Sequence, residues 1–211
     1  MIENYTTYFT EIDDAVHKNF DRITIEFKLI GFSALEIAGL PERGTKDVDT
    51  LKTDILNDPK NMDVLNFLEK EYGKRSPGSF RYGMYLDIVP VAIVWLPPQP
   101  QFISFKKFNC LNVTRLNPTD VLISKTFSNF LSSANRKQDV KDIFDAFDTR
   151  LVDPKEYIKR LDEALPKYEI HAEALEIFPK VIDFVEKRII PYYIIDGTML
   201  SYTLPNWMLN Y

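Results

Sequence analysis

One cysteine, Cys110, and two histidines, His17 and His171, are all that a chain of 211 residues offers of the softer metal ligands. A single cysteine excludes an intramolecular disulfide and any cysteine-based zinc cluster, and suits a reducing compartment. Neither histidine adjoins a carboxylate motif, which leaves a metal-dependent phosphohydrolase without support. Long apolar runs are missing too. No stretch reaches about eighteen uncharged apolar residues, and the opening MIENYTTYFTEIDDAV is polar and acidic where a signal peptide starts basic and runs apolar. The expectation is a soluble, cytoplasmic protein with no membrane partner. An excess of basic charge is also lacking: the net charge of −5 argues against a surface built to coat nucleic acid. Local groups remain in KEYGKRSPGSFR, residues 70 to 81, and in Lys106, Lys107 and Arg115. Each reads either as a phosphate patch or as ordinary solvated loop and strand-edge charge.

What is present is a hydrophobic content of 45%, enough for a core that needs no staples. YFTEIDDAVHKNF has helical spacing and reads as an opening helix. Ile23 to Ile30 is β-branched, aromatic and alternating, a strand. Gly31 and Ser33 mark a turn, ALEIAGL is a short helix closed by Gly39, KDVDTLKT is a second strand, and NDPKNMDVLNFLEKEYG is a helix with Pro59 near its start. YLDIVPVAIVWLP is the most strand-like stretch, with Pro90 signalling a break or an edge. FISFKKF and CLNVTRL are two further alternating runs around Asn109, a hairpin or a meander. From Pro118 onward four segments carry three-to-four-residue periodicity, with Asn117, Asn135 and Asp153 as caps. The fold class expected is α/β (α+β), a mixed sheet flanked by helices and followed by a C-terminal helical bundle. The domains expected are 1–116 and 117–211. The aromatic end, PYYIIDGTMLSYTLPNWMLNY, is either an arm folded on the core or a partner-binding tail.

The chemistry concentrates in GLPERGTKDVDTLKTD, residues 39 to 54. On a strand, Asp47 and Asp49 project to one face with Val48 turned away. Two carboxylates so placed repel unless a cation sits between them, and a divalent metal is the usual one. A small-residue turn at Gly31 precedes them and a further strand carboxylate, Asp87, follows in LDIVP.

Gly31 and Ser33 after an apolar strand, then Arg43, Thr45, Asp47 and Asp49, resemble the opening of the nucleotidyltransferase superfamily. The branch with GG-A followed by R-x-T-x-D-x-D, which includes the AbiEii-type abortive-infection toxins, is the most similar. Asp87 stands where that family has its third carboxylate. NPTDVLISKTFSNFLSSANRKQDVKDI is similar to the family's segment of a lysine on one helix and R-x-K-D-x-x-D on the next, which matches Lys125, Arg136, Asp139 and Asp142. The resemblance covers residues 23 to 150 and consists of several short motifs in the right order.

The resemblance implies Mg²⁺ or Mn²⁺ held by Asp47, Asp49 and Asp87, with Asp87 also activating the incoming hydroxyl. It implies an NTP whose β- and γ-phosphates meet Ser33 and the Gly31 backbone, with Arg43 and Thr45 among the nucleotide-binding positions. Lys125 would neutralise phosphate charge and Asp139 would orient it or contact the nucleotide. The acceptor would be a hydroxyl on RNA such as tRNA, on a protein or on a small molecule, and a cognate antitoxin is the implied partner of a toxin. The chain departs from the family at Phe32, where a second small residue is usual. A ring pointing into the sheet is harmless; one pointing at the phosphates blocks them. The rival to the enzyme is therefore an inactive descendant that binds nucleotide or a protein. Without the resemblance, Lys125 reads as a solvated helix lysine, the Arg136, Lys137, Asp139 and Asp142 charges as surface ion pairs, Cys110 as a packing residue, and Trp95 as a core or loop anchor, with base stacking as the alternative.

Overall fold

A computed structural model describes residues 2–42, 47–76, 83–131, 136–168 and 172–191. Helix α1 (Ile2–Asn19) buries Tyr5, Tyr8, Phe9, Ile12, Asp13 and Val16, a stripe at helical spacing. It starts earlier than the spacing of residues 8 to 20 predicts. Strand β1 (Ile25–Leu29) alternates as expected, with Ile25, Phe27 and Leu29 turned to the core. The Phe9 and Phe27 rings lie 6.1 Å apart, joining helix to sheet.

Helix α2 (Gly31–Ile37) begins at the turn glycine itself, three residues before the expected ALEIAGL helix. Strand β2 (Asp47–Leu51) follows. The segment read as one helix after it is broken. Helix α3 (Asp54–Asn57) ends, a 3₁₀ turn spans Pro59–Asn61 with the Asp58 carboxylate accepting from the Lys60 N–H, and α4 (Met62–Tyr72) takes over. Proline at the first turn position explains the restart, because it has no N–H to carry the earlier helix through. Strand β3 (Tyr85–Val89) stops at Pro90 for the same reason, and Val91–Ile93 is a 3₁₀ turn instead of further strand.

Strands β4 (Phe102–Lys107) and β5 (Leu111–Leu116) make an antiparallel hairpin, one of the two arrangements expected. Its turn is held by Asp13 of α1, whose carboxylate accepts from the backbone N–H of Asn109 at 3.1 Å, Cys110 at 2.7 Å and Leu111 at 2.9 Å. The sheet is mixed, in the order β3-β2-β1-β5-β4. β1 runs parallel to β5 and antiparallel to β2, and β2 runs parallel to β3.

Four further helices follow: α5 (Pro118–Leu131), α6 (Lys137–Asp148), α7 (Pro154–Tyr168) and α8 (Ala172–Phe184), the last continuing into a π-helical turn at Val185–Ile189. Asn117 caps α5, accepting from the Thr119 N–H at 2.9 Å, and Asp153 caps α7, accepting from the Lys155 N–H at 2.7 Å. Asn135 and the aromatic end 192–211 lie outside the described residues.

The chain divides into two compact units, Met1–Val94 with Pro100–Val121, and Trp95–Gln99 with Leu122–Tyr211. The division falls inside α5, five residues beyond the expected 116/117 boundary. The first turn of α5 belongs with the sheet because Asp120 accepts from the Gln101 N–H at 2.8 Å. Trp95–Gln99 belongs with the helices: Trp95 stacks on Phe127 at 6.0 Å and 16°, and Arg160 donates to the Pro98 carbonyl at 2.8 Å. Trp95 is thus a loop anchor.

Candidate active site

Asp47 and Asp49 occupy alternate positions of β2 and so share one face of the sheet. The parallel register of β2 with β3 sets Asp47 opposite Tyr85 and Asp49 opposite Asp87. One face of two neighbouring strands therefore carries three carboxylates and a phenol. Asp47 and Asp49 are half-buried and Asp87 is exposed.

The turn after β1 is shaped around this row. The Ile30 N–H donates to the Asp49 carbonyl at 2.9 Å, which brings the Gly31 backbone against β2. Gly31 has φ +65°, and a Cβ added there would lie 2.4 Å from Asp49 Oδ2. Only glycine satisfies both conditions: a side chain would enter left-handed backbone and occupy the place of the Asp49 carboxylate.

Tyr85 was not among the residues expected from the sequence. Burial first, then the Asp47 charge and a hydrogen bond to Asp47, then the Asp87 and Asp49 charges, raise its phenol above the ordinary tyrosine value. All three carboxylates thus act on one hydroxyl. Lys74 Nζ lies 5.6 Å from the Tyr85 ring centroid and brings a cation beside the row. Tyr5 is a more distant member. Its hydroxyl donates to the buried Glu36, and its own value is raised by burial first, with Glu36, Glu42 and Asp49 adding to it.

The donor chemistry fits a hard divalent cation, since carboxylates on one face are the ligands Mg²⁺ takes. Among the described residues, however, no three histidine, cysteine, aspartate or glutamate side chains are gathered as a metal-holding group. The register pair Asp49 and Asp87, with Asp47 two residues before Asp49 on the same face, are the carboxylates that could hold an ion together. Mg²⁺ commonly keeps several waters and uses one or two protein carboxylates plus substrate phosphates.

The other expected residues are placed as follows. Ser33 is fully buried, and its hydroxyl donates to the Ile30 carbonyl at 3.1 Å within the turn. Phe32 is buried, 5% exposed. Arg43 and Thr45 lie outside the described residues, as does His171. His17 is exposed, with Nδ1 3.5 Å from the sulfur of buried Cys110, whose thiol is pushed up by burial and by Asp13.

In the second unit, Lys125 is not a solvent-facing helix lysine, a correction to its reading from helix position alone. Its side chain is 10% exposed, and its ammonium lies 2.7 Å from both Asp139 Oδ1 on α6 and Asp142 Oδ2 one turn later. Arg136 Nε reaches the other Asp139 oxygen at 3.0 Å, and Gln138 donates to Asp142 Oδ1 at 2.9 Å. Two cations and two carboxylates balance, with Lys125, Asp139 and Asp142 buried and Arg136 exposed at the edge. Lys125, Asp139 and Asp142 are therefore joined in the interior, while the exposed Arg136 makes the i,i+3 pair with Asp139 that helix spacing suggests.

Compared with known proteins, the chain matches no family model, no curated protein and no solved structure. Among the described residues, no helix is long and apolar enough to cross a membrane.

Proposed function

We propose that the chain is a metal-dependent nucleotidyltransferase that moves an NMP group from an NTP to a hydroxyl on RNA, a protein or a small molecule. The observation that carries this reading is Asp49 set in register beside Asp87 with a side-chain-free Gly31 against the Asp49 carboxylate. Mg²⁺ or Mn²⁺ bound at these carboxylates would supply Lewis-acid stabilisation of charge on the transferring phosphoryl group. Asp47, Asp49 and Asp87 would hold it. Asp87, the exposed member, would take the proton of the attacking hydroxyl. The new bond joins that oxygen to the α-phosphorus, the bond from the α-phosphorus to the β-phosphate oxygen breaks, and pyrophosphate leaves. Lys74 is a cation close to the row and suited to the departing charge. The resemblance to abortive-infection toxins adds a cytoplasmic setting and a cognate antitoxin to this proposal.

A second reading, nucleotide or protein binding without turnover, is favoured by two observations: Lys125 is already matched by two aspartates, and Ser33 is spent inside its own turn. Incubation with each α-labelled NTP, Mg²⁺ or Mn²⁺, and tRNA or cell extract separates the two. Transfer requires label on an acceptor from an α-labelled but not a γ-labelled NTP, lost on chelation. Label that never leaves the NTP pool, with any base or acceptor, refutes the enzyme.

A further inference from the structure

Tyr85 is the first residue of β3, and β3 is an edge strand of the sheet. The parallel register places it opposite Asp47, on the face that also carries Asp49 and Asp87. It is only half-buried there, and its hydroxyl is hydrogen-bonded to Asp47. Tyr5 and Tyr157, by contrast, are buried and spend their hydroxyls on Glu36 and Thr126 inside the fold.

Packing does not call for the Tyr85 hydroxyl, since phenylalanine would fill a half-buried edge position as well. Relief of repulsion among three carboxylates does not call for it either, because a lysine or arginine would serve better. A phenol is a neutral donor: it holds a carboxylate without cancelling the charge that a divalent ion needs. The register already brings Asp47, Asp49 and Asp87 to one face. What a cation further requires is that their oxygens converge. The terminal torsion of an aspartate is broad, so an unheld carboxylate on a strand surface presents its oxygens in many directions. One hydrogen bond from the neighbouring strand narrows that range and leaves the second oxygen, with a lone pair of the first, for an ion. Carboxylates that ligate metals are held by outer hydrogen-bond partners in this way.

We propose that Tyr85 is a positioning residue of the cation site, its hydroxyl orienting Asp47 toward a divalent metal, Mg²⁺ or Mn²⁺, shared with Asp49 and Asp87. The ion's part in transfer rests on the nucleotidyl-transfer reading; the hold of Tyr85 on Asp47 does not.

The experiment measures Mn²⁺ binding by the full chain without nucleotide, from the electron paramagnetic resonance of the free ion, for wild type, Tyr85→Phe, Asp47→Asn and the double variant. Wild type should bind. Tyr85→Phe should bind at least about tenfold more weakly, the scale on which outer partners of metal ligands act, and should still unfold cooperatively in chelator. Asp47→Asn should also bind more weakly. Adding Tyr85→Phe to it should cost less than about twofold further, because a residue that acts through Asp47 then has nothing left to orient. A second readout separates positioning from bulk. Where transfer is observed, Tyr85→Phe should need at least about tenfold more Mg²⁺ for half its maximal rate and should approach the wild-type rate once the metal saturates. Wild type that takes up no Mn²⁺, Tyr85→Phe that binds as wild type does or fails to fold, or losses that add in the double variant would each overturn the assignment. If Mn²⁺ affinity falls in Tyr85→Phe while no protein transfers label, the positioning role stands and the transferase reading falls.

Discussion

Gly31 is the residue on which the geometry of the carboxylate row turns. Its φ of +65° costs an L-residue about 1 to 3 kcal/mol, and its missing Cβ is what leaves room for Asp49 Oδ2. Gly31→Ala should therefore lower stability in urea by that amount plus the displacement of the carboxylate. In a double-mutant cycle with Asp49→Ala the two changes should couple by at least about 0.5 kcal/mol; additive losses would mean that the clash is relieved elsewhere. Tyr157 supplies a pH-dependent test at the same scale. It is fully buried, and burial holds its phenol far above the ordinary value, an effect that its hydrogen bond to Thr126 at 2.6 Å only partly offsets. A raised folded-state value means that the unfolded chain loses the proton first. The stabilisation is complete below the unfolded tyrosine value of 10.0 and is lost as pH rises beyond it. Wild type should thus lose stability more steeply than Tyr157→Phe above about pH 10, by up to about 1.4 kcal/mol per pH unit. Parallel urea midpoints for the two proteins across that range would contradict the burial argument.

Pairs of elements, not single residues, decide what the charged groups do. β2 and β3 run parallel in a register that sets Asp49 beside Asp87, and a shift of one residue would send Asp87 to the other face. The α5 and α6 cluster shows the opposite use of charge. Lys125 is held between Asp139 and Asp142, so its removal leaves two carboxylates with little water and less compensation. Lys125→Met should cost about 3 to 5 kcal/mol in urea unfolding, the range for breaking a buried pair, and Asp142→Asn in the same chain should recover part of it. A loss below about 1 kcal/mol, the scale of a surface pair, would show that the network is solvated. The sequence makes Asp47 and Asp49 legible because alternation on a strand is a local rule. It makes the caps at Asn117 and Asp153 legible for the same reason. Register and helix pairing are not local. Tyr85 reads as an ordinary strand aromatic until β3 is laid beside β2, and Lys125 reads as a solvated lysine until α6 is packed beside α5. Asp13 is hidden likewise: a carboxylate in an apolar helical stripe gives no sign of the hairpin turn it holds.

For the molecule as a whole, the mixed α/β class follows from periodicity that changes at Pro118, while the division into units does not. It falls within α5, because the first turn of that helix is tied to Gln101 and Trp95–Gln99 is tied to Phe127 and Arg160. Those ties join residues far apart in the chain, and no composition shift marks them. The sheet unit contains Gly31, Asp47, Asp49, Tyr85 and Asp87, and Lys125 with its aspartates belongs to the other. The proposed chemistry therefore belongs to the sheet unit. Its most direct test is transfer of labelled NMP by wild type and Asp49→Asn, with the melting temperature of each measured alongside. The account predicts transfer by wild type, a loss of at least about a hundredfold in Asp49→Asn, the scale of removing one key electrostatic contact, and a melting temperature equal to or above that of wild type, because the change relieves repulsion with Asp47 and Asp87. Transfer that survives in Asp49→Asn would contradict it, and so would its loss together with a collapse of the fold.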